Sequence, residues 1–187
     1  MGSTKLWVFV GAALLVWGSI YWGVRSGIAR RANGDNKPNH GDLLPRLACA
    51  GLIIVLYAVS ITLNVFLFRG TWAFNSGTAV SGGEILLYGW LGILVGMIGW
   101  YANVLFVPGL ILFAAGEYRV SRWIALAALL IASSSLLIRE LPTGSTSGAS
   151  TPIASFGPGF YAWLGSMVLL TAGTFGLRAL SRRPIAA

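Results

Sequence analysis

The chain has 187 residues, of which 56% are hydrophobic and only 10% charged, and its formal net charge is +8. Soluble domains carry about 25% charged residues, so this composition belongs to the membrane class and leaves no room for a separate soluble domain. The basic excess lies beside apolar segments, where it reads as a topology signal and a contact to anionic lipid head groups, which excludes nucleic acid as the expected partner.

A bilayer core of about 30 Å needs roughly 20 helical residues. The first segment that meets this, 6–24, has Trp7, Tyr21 and Trp22 at its ends as interfacial anchors. No small-x-small cleavage site follows it, so an uncleaved transmembrane helix is expected rather than a signal peptide. Leu6 stands where myristoylation needs Ser or Thr. The polar loop 25–46 follows, with Arg25, Arg30, Arg31, Lys37 and Arg46 and the single histidine, His40. A second span is expected at 47–68; it contains the single cysteine, Cys49, which reads as a small buried hydrophobe. The outer loops RGTWAFNSGTAVSGG and RELPTGSTSGASTPIASFGPG are rich in Gly, Ser and Thr and read as irregular. Further spans are expected at 123–138 and 160–177.

Between these lies the awkward stretch 84–118. As one helix its 35 residues would be about 52 Å long, far more than one crossing needs. Charge decides its parity. With one crossing, ten of the 13 Lys and Arg fall on the side of loop 25–46, leaving Lys5, Arg69 and Arg139 opposite. With two crossings the bias disappears. Basic short loops stay cytoplasmic, so five spans are expected, with the N-terminus outside and the C-terminus inside.

Spacing agrees with one crossing. Gly89, Gly92, Gly96, Gly99 and Asn103 recur at steps of three and four and would share one helix face. Gly92 and Gly96 form a GxxxG pair that would let a neighbouring helix approach. The expectation is a span over 95–118, kinked at Pro108, where the backbone hydrogen bond to Val104 is missing. A shoulder at 84–94 would precede it, re-entrant or interfacial. The fold expected is therefore all-α: a polytopic membrane protein in one domain.

Ionisable groups inside a membrane are functional candidates by default, but here they fall at segment ends. Arg69, Glu84, Arg139 and Glu140 are expected on the outer side as a candidate polar cluster. Asn103 is the foremost intramembrane polar residue, and its expected role is a hydrogen bond to a neighbouring helix. No GxSxG, HExxH or phosphate-loop pattern occurs. One His and one Cys give no zinc pattern, so neither metal nor cofactor is expected.

The strings GWLGILVGMIGWYANVLFVPGLILF, YRVSRWIALAALLIASSSLLIRELP and FGPGFYAWLGSM cover about residues 89–167. Together they resemble an uncharacterised group of bacterial multi-pass inner-membrane proteins, in which Gly-Trp, Trp-x-Ala-Asn and Gly-Pro-Gly-Phe-Tyr recur in this order. The resemblance implies a bacterial cytoplasmic membrane and no activity. The chain departs from it at Val104, where that group has proline. The leading expectation is a non-catalytic accessory subunit that contacts other membrane chains, or itself, through its helices. A small transporter or channel using Asn103 and Pro108 comes second, and an outer-face lipid-modifying enzyme third.

Overall fold

The computed structural model describes residues 43–68, 79–95, 97–142 and 150–180. The expected span 6–24, loop residues 25–42, Arg69 and Gly96 lie outside the described residues.

Helix α1, Leu43–Thr62, leads into strand β1, Asn64–Phe68. Strand β2, Ala79–Ser81, opens the short helix α2, Gly82–Tyr88, which continues as a 3-10 helix over Gly89–Val95. A second 3-10 turn, Gly99–Tyr101, begins helix α3, Ala102–Ala114. Helix α4, Tyr118–Ser133, ends in a 3-10 turn, Ser134–Leu137. Strands β3, Glu140–Pro142, and β4, Ser150–Phe156, precede helix α5, Pro158–Leu180. Three stretches, Leu43–Thr62, Tyr118–Leu137 and Pro158–Leu177, are long and apolar enough to cross a membrane. Each has 20 residues, which at 1.5 Å per residue span about 30 Å.

Taken in chain order, α1, α3, α4 and α5 alternate in direction. Arg46, at the start of α1, touches Gly116 in the turn between α3 and α4, and this marks the basic end of the bundle. Ser60 and Ile61, near the end of α1, meet Gly82, and Asn64 meets Gly157 and Gly159 before and within the first turn of α5. That is the strand end. Gly116 has φ +86°, a conformation that glycine adopts without a Cβ penalty. Glu117 N–H donates to the Leu112 carbonyl and Gly116 N–H to that of Phe113, both at 2.9 Å, so α3 closes in a Schellman motif.

Helix dominates, but the all-α expectation is corrected by a four-stranded antiparallel sheet in the order β2-β1-β4-β3. The span expected at 47–68 is helix only to Thr62. Its last residues, NVFLF, include the β-branched Val65 and the aromatic Phe66 and Phe68, and a short apolar run of that kind suits strand as well as helix. Parts of both outer loops supply the other strands. Gly82 N–H donates to the Leu63 carbonyl at 2.9 Å and Gly157 N–H to that of Val65 at 2.8 Å, which fixes β1 between them. The expected 123–138 begins earlier, at Tyr118, and the expected 160–177 extends over Pro158–Leu180.

The span expected at 95–118 is shorter and broken. Its helical part, Gly99–Ala114, covers about 24 Å. Pro108 lies inside α3, which continues through it to Ala114. The bundle core is built where α1, α3, α4 and α5 meet. Phe106, Phe113, Ile53 and Leu170 pack there against Ala102, Ala125 and Ala132. The buried positions of α4 are all small: Ser121, Ala125, Ala128 and Ala132. This permits the close helix approach that membrane packing uses. Ser121 Oγ donates to the Gly109 carbonyl at 2.7 Å, joining α4 to α3 in the buried interior. A second core, around Val65, Phe66, Val80, Leu141 and Phe160, joins the sheet to α5.

Candidate functional site

The site is a cavity of about 700 Å³ beneath the sheet, between the strand ends of α1 and α5 and the segment Gly82–Met97. Asn103, the second residue of α3, holds three helices together there. Its Oδ1 accepts from Trp163 Nε1 of α5 at 2.8 Å and from the Tyr57 hydroxyl of α1 at 3.2 Å. An indole nitrogen only donates, so this pairing fixes which end of the amide faces Trp163. Tyr57 is itself placed by stacking on Phe106, with centroids 4.8 Å apart. Trp163 lies in the second turn of α5, roughly 8 Å from the helix start at 1.5 Å per residue. The cavity therefore sits at shallow depth, near the strand end of the bundle.

One wall is the segment that the sequence marks as a shoulder. It starts with a capping box: Ser81 Oγ accepts from Glu84 N–H, and Glu84 Oε2 accepts from Ser81 N–H at 2.8 Å. The segment does not run straight into α3. Trp100 Nε1 donates to the Leu86 carbonyl at 3.1 Å, and the Tyr101 hydroxyl to the Trp90 carbonyl at 2.8 Å. In a straight helix residues 86 and 100 would stand about 21 Å apart. The chain turns back between them, and Met97 N–H donates to the Gly92 carbonyl at 2.8 Å.

This turn explains the glycines differently from a shared face. A side chain at Gly89 would collide with the Trp100 indole, and one at Gly99 with the Ser135 hydroxyl. A Cβ at Gly92 would lie 2.8 Å from the Met97 carbonyl oxygen. Gly89 and Gly92 belong to one helical piece, Gly99 and Asn103 to the next, and all three glycines are filled by this chain's own atoms. Gly96, the partner of Gly92 in GxxxG, lies outside the described residues.

Of the candidate outer polar residues, Glu84 stands apart from Arg139 and Glu140. Glu84 follows edge strand β2, whereas Arg139 and Glu140 lie at edge strand β3. Three interstrand steps of about 4.8 Å place those edges roughly 14 Å apart. Glu140 accepts a hydrogen bond from the Ser150 hydroxyl across the β3–β4 pair, and Arg139 is exposed. Arg69 lies outside the described residues. Among the described residues, no group of three His, Cys, Asp or Glu is close enough to hold a metal ion.

Sequence reasoning found Asn103 but missed Tyr57, Trp100 and Trp163. The readable signals were S-G-G-E at Ser81–Glu84, which fits a capping box before an apolar run, and a tryptophan inside the last span. No protein-family model, curated protein or solved structure matches the chain.

Proposed function

We propose that the chain is a non-catalytic integral protein of a bacterial cytoplasmic membrane that binds an apolar molecule in the cavity beside Asn103. The observation that carries this reading is a preformed, largely apolar cavity of about 700 Å³, a size and character typical of small-molecule sites. Its polar centre, Asn103, is held by Tyr57 and Trp163. Glu84 is engaged in a helix cap and Glu140 with Ser150, which supports binding rather than acid–base chemistry. Gly89, Gly92 and Gly99, expected on the face that would receive a partner helix, are filled by this chain's own atoms, so that argument for an accessory subunit no longer leads.

Five spans with the N-terminus outside remain the proposed threading, with 6–24 as the first. Arg46, Arg119 and Arg122 gather at the end where α1 begins and α3 meets α4, in keeping with a cytoplasmic face. The segment Gly82–Leu94 starts at the strand end, and Gly99 touches Ser135 at that same end, which favours one crossing for 84–118. Labelling with a membrane-impermeant thiol reagent in a Cys49→Ala background tests this. Ser150→Cys reacts in intact cells, and Arg119→Cys only after permeabilisation; the reverse pattern overturns the threading.

The binding reading is tested in lipid nanodiscs with a brominated straight-chain alkane. Trp100 and Trp163 line the cavity, so occupation gives saturable quenching of tryptophan fluorescence. Quenching that only rises linearly with probe, as partition into lipid does, refutes it. A second reading, a subunit of a larger assembly, draws on Gly51, Gly165 and Gly176, where an added Cβ meets nothing within 4 Å. A chain that purifies as a stable monomer in mild detergent counts against that reading.

A further inference from the structure

Resting on the binding reading, we infer that the cavity selects an uncharged apolar molecule bearing a carbonyl or hydroxyl oxygen, and that the Asn103 amide donates to this oxygen. The first argument is hydrogen-bond valence. A primary amide has two N–H donors and one oxygen acceptor. The oxygen of Asn103 serves Trp163 and Tyr57, while its N–H groups have no acceptor among the described residues. Asn103 is only part-buried and lines the cavity. A molecule entering would strip water from those N–H groups, and leaving a donor unsatisfied is costly. A plain hydrocarbon therefore fits worse than the same chain carrying an acceptor at this depth. Ser135, which also lines the cavity, is a further polar side chain in its wall.

The second argument is charge. Among the described lining residues there is no Lys or Arg, and the one charged side chain is Glu84. A phosphate or carboxylate would be buried among apolar walls with no cation to pair it, which is strongly unfavourable. This excludes the anionic lipids that the basic end of the bundle would attract. A cationic head group would lose its water among the same apolar walls, a cost that one carboxylate, already accepting from the Ser81 backbone and hydroxyl, does not repay. The walls supply the rest of the fit: Tyr57, Phe66, Tyr88, Trp100, Phe160 and Trp163 bring six aromatic side chains to the cavity. Neutral glycerolipids and long-chain quinones, ketones or alcohols share this chemistry.

The experiment uses the full chain in nanodiscs and a series of brominated probes of one chain length: alkane, methyl ketone, alcohol, carboxylate and primary amine. Saturable tryptophan quenching gives an affinity for each, with protein-free nanodiscs correcting for partition. The ketone is expected to bind about five-fold tighter than the alkane, the effect of one net hydrogen bond. The carboxylate and amine are expected to be weakest. Asn103→Leu, checked for folding by thermal melting, should bind ketone and alkane equally. If that variant does not fold, the wild-type ratio of ketone to alkane decides alone. Equal binding of alkane and ketone by the wild type overturns the selectivity and leaves the binding reading standing. Tightest binding of the carboxylate or amine also overturns it. If no probe quenches saturably, residues of the chain itself fill the space and both readings fall. Competition of the bound ketone by diacylglycerol or by a prenylated quinone then separates the two natural sources.

Discussion

The two ends of the bundle solve the same packing problem with different materials. Toward the basic end, α3 and α4 meet through small residues and a buried serine–carbonyl bond, and Phe113 is completely enclosed. Toward the strand end, large aromatic side chains, a sheet and a doubled-back helical segment surround empty space. In lipid there is little hydrophobic gain in joining two apolar helices, so close packing and hydrogen bonds must do it. The basic end has the close packing. The strand end has the hydrogen bonds, chiefly those converging on Asn103. Under the proposed binding reading the chain must stay folded while admitting a molecule, and it then needs both kinds of region, because cavities cost stability wherever they lie.

The sharpest way to break the comparison is to create a void in the tight half. Phe113→Ala removes a fully buried ring that packs against Gly173 and tilts against Tyr118. The expected loss is about 3–5 kcal/mol, read as a large fall in melting temperature in detergent. A small loss would mean that the basic end is looser than its geometry implies. Next in size is Gly82→Ala at the other end. The added methyl would collide with the Ser60 backbone carbonyl, which cannot swing aside as a side chain would. Overpacking of this kind costs up to about 3 kcal/mol. It should show as lost protection from hydrogen exchange over β1 and β2 before α3 and α4 are affected.

The legibility of these halves in sequence also differs. Length and hydropathy alone locate three stretches able to cross a membrane, because the bilayer imposes that length on any helix. The sheet was hidden for two reasons. NVFLF continues the apolar run of α1 without a helix stop signal, and β3 and β4 carry Pro142 and Pro152, which weaken any strand reading. The glycine spacing from Gly89 to Asn103 misled in an instructive way. Steps of three and four share a face only if the helix is unbroken, and here the chain turns between Gly92 and Met97. Asn103 was legible as a polar residue on a packing face. Its partners were not, since Tyr57 and Trp163 lie 46 and 60 positions away and only the tertiary fold brings them there.

Asn103→Leu sharpens the comparison at the junction of the two halves. It leaves the Trp163 indole N–H and the Tyr57 hydroxyl without their common acceptor. An orphaned donor costs about 1–3 kcal/mol, so a loss near 2 kcal/mol is expected, less than for Phe113→Ala. Tryptophan emission should shift as Trp163 loses its bond, while slow-exchanging amides of α3 and α4 toward Gly116 stay protected. A uniform collapse of protection across all helices would show that the halves are not separable.

The smallest effect belongs to the wall of the cavity. Ser81→Ala removes one side of the capping box, leaving Glu84 N–H without the Ser81 oxygen, while the Ser81 backbone N–H still reaches Glu84. Loss of a serine cap costs about 1 kcal/mol. Helix α2 has no buried residue to hold it, and Leu87, Tyr88 and Leu94 are among the most exposed apolar side chains described. It is attached by this cap, by the Gly82 bond to the Leu63 carbonyl, by Ile85 packed on the second core and by the bond from Trp100 to the Leu86 carbonyl. The expected result is faster hydrogen exchange confined to Gly82–Leu94, with the melting temperature nearly unchanged. Alkane quenching should then reach saturation sooner after mixing, because the wall opens more often, while the final extent of quenching stays the same. A change in the final extent instead of the rate would mean that the cap shapes the cavity and does not merely hold its edge.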